Sequence, residues 1–66
     1  MQIILNGEPH DLPEQAYVTD LIEHLGLVGH RLAIEVNGDI VPRSQHGERQ
    51  LYAGDRVEVV RAIGGG

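Results

Sequence analysis

The sequence predicts an α+β fold in which one amphipathic helix covers a mixed sheet of four or five strands. Three observations carry that expectation. Asn-Gly pairs at Asn6-Gly7 and Asn37-Gly38 each follow a β-rich run, one stretch between them has helical apolar spacing, and the last apolar run alternates with the period of a strand. A lone helix has only one sheet to pack on, so the two must share a core.

Gln2 to Leu5 reads as the first strand, and Asn6-Gly7 as a type I′ turn, whose two central residues both need positive φ. The return strand runs from Glu8 to Leu12, with Pro9 confining it to a sheet edge and Pro13 ending it. Val18, Leu21, Ile22 and Leu25 then fall at i, i+3, i+4 and i+7, on one helical face. The helix start has two solutions: Thr19 is the better capping residue, whereas Tyr17 as cap puts Asp20 at the third position of a capping box. Gly26 and Gly29 can both close the helix in a left-handed conformation. Leu32, Ile34 and Val36 alternate with Ala33 and Glu35, Asn37-Gly38 repeats the hairpin signal, and Ile40 and Val41 form the return strand up to Pro42. Arg43 to Gln50 is a polar connection with room for one helical turn. Ala53-Gly54-Asp55 is a turn, and Arg56 to Ile63 is the last strand, with Val57 and Val59 on one face and Glu58, Val60 and Ala62 on the other. The expected core is Ile3, Leu5, Leu12, Val18, Leu21, Ile22, Leu25, Ile34, Val36, Val57 and Val59. Residues 1–63 make the domain, and 64–66 a flexible glycine tail.

A chain of 66 residues buries a modest fraction of its surface and has little room for a deep catalytic pocket. It has no cysteine, which removes disulfides, thiolate metal sites and catalytic thiols. No segment approaches the roughly 20 apolar residues of a membrane span, and the start lacks the pattern of a signal peptide, so a cytoplasmic protein with no membrane partner is expected. The net charge is −5. That excess lies in Glu8, Asp11, Glu14, Asp20 and Glu23, before the first arginine, Arg31. Phosphate backbones are bound by clustered cations, so nucleic acid is not the expected partner, and a protein with a basic surface is favoured instead. All 5 cations are arginines.

The tail Gly64-Gly65-Gly66 is the most informative feature. With glycine at roughly 7% of positions, three in a row at an end arise by chance in about 0.03% of chains, so composition does not account for it. A run without side chains adopts almost any φ and ψ and reaches roughly 10 Å in extended form. Those properties suit a carboxylate threaded into another protein's active site. His10, His24, His30 and His46 show no metal-ligand spacing, so no metal and no bound cofactor are expected. His24 near the helix end favours the dipole when protonated. Arg43 reads as an ion-pair or partner contact, and no catalytic residue is assigned.

The opening MQIILNG, the segments VTDLIEHL, IEVNGDIVPR and AGDRVEVV, and the ending AIGGG together resemble the sulfur carriers of thiamine biosynthesis, the ThiS family, over all 66 residues. The combination of Asn37 to Arg43, Ala53 to Asp55 and a terminal Gly-Gly is more specific than any one piece. The resemblance implies a β-grasp fold related to ubiquitin and a carrier that is not itself an enzyme. It further implies that an adenylating enzyme uses ATP and Mg²⁺ on the Gly66 carboxylate. Sulfur from a cysteine desulfurase relay then makes a thiocarboxylate, and a thiazole synthase consumes it. Gly64 and Gly65 are the threaded tail, and Ile4, Val60, Ala62 and Ile63 the docking residues on the sheet face away from the helix. Two departures from the family pattern stand out: Tyr17 occupies the place of a capping Thr, and a third glycine replaces the Ala of an Ala-Gly-Gly ending. Three alternatives remain open at this level: a molybdopterin-type sulfur carrier, against which the short chain without Phe speaks; a ubiquitin-like modifier of lysines; and a binding module with an idle tail.

Overall fold

The computed structural model describes residues 1–62. Strand β1 (Gln2–Leu5) turns into β2 (Glu8–Asp11), and helix α1 (Val18–His24) follows; β3 (Leu32–Val36) turns into β4 (Asp39–Ile40), a 3₁₀ turn spans Arg43–Gln45, and β5 (Arg56–Arg61) comes last. The five strands form one sheet in the order β2-β1-β5-β3-β4. β5 is last in sequence but central in space, parallel to β1 and antiparallel to β3. This is a β-grasp fold: two hairpins flank the final strand, and α1 lies across the sheet they complete.

Both hairpins turn as the Asn-Gly pairs predict. Asn6 and Gly7 have φ of 49° and 85°, and Asn37 and Gly38 have 53° and 87°. Glycine takes such angles freely, and asparagine tolerates them better than other residues. The two asparagine side chains also reach β5. Asn6 Oδ1 accepts from the Val59 N–H at 2.9 Å, and its Nδ2 donates to the Val59 carbonyl at 3.3 Å. Asn37 Oδ1 accepts from the Arg56 N–H at 2.9 Å, and its Nδ2 donates to Asp55 Oδ1 at 3.0 Å. The strand pair β1·β5 has only two register positions, Ile4 with Arg56 and Leu5 with Val57. The Asn6 amide therefore stands in for the next peptide group of that ladder.

A helix of seven residues is too short to persist alone, so tertiary contacts must hold α1. The cap is Tyr17, which has no side-chain capping hydrogen bond. Asp20 Oδ2 accepts the Tyr17 N–H at 2.7 Å, and carbonyls from the 46–49 connection take the next two helix donors. Val18 N–H donates to the Arg49 carbonyl at 3.0 Å, and Thr19 N–H to the His46 carbonyl at 3.2 Å. A distant segment thus supplies what a capping Thr would have supplied locally. At the other end Leu25 is the C-cap, and Gly26 follows with φ 71°. Leu27 N–H donates to the Ile22 carbonyl and Gly26 N–H to the Glu23 carbonyl, both at 3.0 Å, the paired bonds of a Schellman motif.

The core contains Ile3, Leu12, Val18, Leu21, Ile22, Ile34, Val36 and Val57, as the periodicities predict, and three residues they do not mark: Ala16, Val41 and Leu51. Leu5, Leu25 and Val59, expected inside, are only partly buried and pack on its rim. Ala16 and Leu51 meet because Leu51 N–H donates to the Ala16 carbonyl at 2.8 Å, beside the bridge between Tyr17 and Gln50. Val41 lies just past β4, its N–H still bonded to the Ile34 carbonyl at 2.8 Å, and Pro42 starts the 3₁₀ turn. A fully buried Val or Leu side chain contributes about 1.5–3 kcal/mol, so Val41 and Leu51 are a substantial part of so small a core.

Candidate functional site

β5 is the strand that leads toward the glycines. It is held on both sides: β3 pairs with it from Leu32–Arg61 to Val36–Val57, and β1 flanks its first half. The ladder runs past the strand end, because Ala62 N–H donates to the Arg31 carbonyl at 2.9 Å. The chain is therefore fixed up to Ala62. Ile63, Gly64, Gly65 and Gly66, the expected stem and reacting end, lie outside the described residues.

The sheet face away from α1 carries the other expected site residues. Val60 is 58% exposed, Ala62 is exposed, and Ile4 is half-buried. Directly opposite residues of neighbouring antiparallel strands share a face, so Ala33 joins Val60 and Ile40 joins Glu35 on it. Ile40 is 76% exposed. The structure brings Val60 and Ala62 together with Ala33 and sets Ile4 apart. Ile4 is level with Arg56, four positions earlier on β5 and roughly 13 Å away along the strand. Ala33 and Ile40 were not singled out in the sequence; the strand register is the signal that finds them. Glu35 faces Glu58 between the apolar groups, a like-charge pair that costs the free protein stability.

The histidines serve other purposes. His46 is buried, and its Nε2–H donates to the Val41 carbonyl at 3.1 Å, which anchors the connection whose carbonyls cap α1. His24 lies in the last helical turn, and its ring meets that of His10 edge-on at 5.2 Å. Among the described residues no three His, Asp or Glu side chains are placed to hold a metal ion. No helix among the described residues is long and apolar enough to cross a membrane.

Known proteins resemble this chain in sequence and in fold. The chain is 35% identical over 66 residues to a thiazole synthase of Paramagnetospirillum magneticum and 39% identical to one of Magnetococcus marinus. All of the chain is matched in both cases, but it spans only 20% of the length of either relative. The crystal structure of the thiamine biosynthesis protein ThiS from Geobacter metallireducens superposes with a TM-score of 0.85 at 29% identity, with 100% of each chain covered. The family model described as "ThiS family" matches residues 3–66, and the chain belongs to that family.

Proposed function

We propose that this protein is the sulfur carrier for thiazole formation in thiamine biosynthesis and that Gly66 bears the sulfur. As a member of the ThiS family the chain is a carrier, not a catalyst. The observation that carries the reading is the union of that membership with a central strand clamped through Ala62, from which four residues, Ile63-Gly64-Gly65-Gly66, continue.

In the reaction a Gly66 carboxylate oxygen attacks the α-phosphorus of ATP on an adenylating enzyme, with Mg²⁺, and pyrophosphate leaves. The acyl-adenylate is a far better electrophile than the carboxylate. The terminal sulfur of a persulfide on a cysteine desulfurase relay then attacks the acyl carbon and AMP leaves; a second thiol attacks the relay-side sulfur of the resulting acyl disulfide, which frees the thiocarboxylate and leaves a disulfide on the relay. A thiazole synthase takes that sulfur, and the likeness to two thiazole synthases supports this link. Gly64 and Gly65 thread the partner's channel because they have no side chains to block it. Ile4, Val60, Ala62 and Ile63 dock against the partner, and the Glu35–Glu58 pair beside Val60 suits a basic partner surface.

One added residue after Gly66 tests the tail. The extended variant keeps its fold and loses at least 100-fold in adenylation rate, read as carrier-dependent pyrophosphate release, because the reacting carboxylate is displaced by a residue. An unimpaired extended variant would contradict the mechanism.

A further inference from the structure

A groove of about 420 Å³ lies between the C-terminal half of α1, the 27–31 connection and β3. Its floor is apolar, from Ile22, Leu27 and Leu32, and Arg31 and Arg43 stand on its lining with Glu23 as the one carboxylate. On a chain with net charge −5 this is a locally cationic place. Its wall is a strand edge. The bond from Ala62 N–H to the Arg31 carbonyl shows that odd-numbered residues of this part of β3 face β5. Even-numbered ones face away, as the Ile34 carbonyl does in accepting the Val41 N–H at 2.8 Å. The partner strand β4 pairs only with Glu35 and Val36. The peptide groups of Leu32 are therefore directed outward at a position where no strand lies among the described residues.

An open strand edge, an apolar floor and two guanidinium groups have one common complement. We propose that this groove seats an extended segment of a partner protein, apolar at alternate positions and acidic at its ends, added as a strand against the outer edge of β3. Backbone bonds to Leu32 fix its path, apolar side chains cover Ile22 and Leu27, and its carboxylates meet Arg31 and Arg43. Ala33 and Ala62 line the groove as well as the open sheet face, so this site borders the docking surface proposed above and is distinguished from it by the acidic segment it takes.

The test titrates the full ¹⁵N-labelled chain with the blocked peptide Asp-Val-Ile-Val-Glu and, separately, with its twin Lys-Val-Ile-Val-Lys. The acidic peptide moves the amide signals of Leu32, Ala33, Ile34 and Thr19 saturably. It binds at least tenfold more tightly than the lysine twin, and high salt narrows that ratio. Arg43→Glu weakens the acidic peptide at least tenfold; the salt dependence of the wild-type chain stands in if that variant does not fold. Equal binding of the two peptides, or no saturable shift at Leu32 and Ala33, overturns the proposal. Nuclear Overhauser contacts from Ile63 to Leu27 or Ile22 in the free chain would make its own tail the occupant and overturn it as well.

Discussion

Asn6-Gly7 and Asn37-Gly38 are the same dipeptide in the same left-handed turn, yet the two hairpins do different work. The first joins four register pairs, from Gln2 with Asp11 to Leu5 with Glu8, and its asparagine reaches both backbone groups of Val59. The second joins only two pairs, and its asparagine braces the entry to β5. There Asn37 holds Asp55, whose Oδ2 accepts the Tyr52 N–H at 2.8 Å, so the turn before β5 is tied to the hairpin after β3. One hairpin steadies the half of β5 nearer the glycines and the other the half where β5 begins. The turn sequence sets the bend; what the side-chain amide meets across the sheet sets the purpose.

Substitutions separate these roles. Asn6→Val places a β-branched residue at positive φ and removes both bonds to Val59, and should cost about 3 kcal/mol in urea unfolding. Asn6→Gly keeps the turn and loses the clamp, at about 1–2 kcal/mol, with faster hydrogen exchange at the Val59 amide. Asn37→Gly frees one backbone donor rather than a donor and an acceptor. It should cost about 1 kcal/mol, with faster exchange at Arg56 and none of the effect at Val59. Equal responses at Val59 and Arg56 in both glycine variants would erase the distinction. Ile40→Lys, on the exposed β4, should change stability by no more than about 0.5 kcal/mol while altering the docking face.

Much of this architecture was legible because periodicity and turn chemistry agree: the helical face, the alternation in β3 and β5, and the two Asn-Gly turns all lie where the pattern places them. The rest depends on contacts between distant segments. Tyr17 looks like a poor cap because the carbonyls of His46 and Arg49 that serve α1 come from a stretch with no periodic signal. Leu51 sits between the polar run 43–50 and the turn at 53–55, so no periodic apolar pattern marks it as core, although it is 1% exposed. The edge strand β2 ends at Asp11 rather than Leu12, whose N–H still donates to the Met1 carbonyl at 2.8 Å. For the candidate site, alternation along β5 was enough to put Val60 and Ala62 on the open face. Ala33 and Ile40 needed the register between strands, which a single sequence does not carry. The glycine tail, on which the sequence reading of the chemistry rests, lies beyond the described residues.

The central claim is that Gly66 carries sulfur. The most direct measurement is the mass of the C-terminal fragment after incubation with ATP, the host's adenylating enzyme and a sulfide source. The fragment must be isolated, because exchanging oxygen for sulfur adds nearly the same mass as oxidising Met1. The account predicts an ATP-dependent gain of one oxygen-to-sulfur exchange confined to the fragment that ends in Gly66. An unchanged fragment alongside an enzyme that thiocarboxylates another carrier would contradict it.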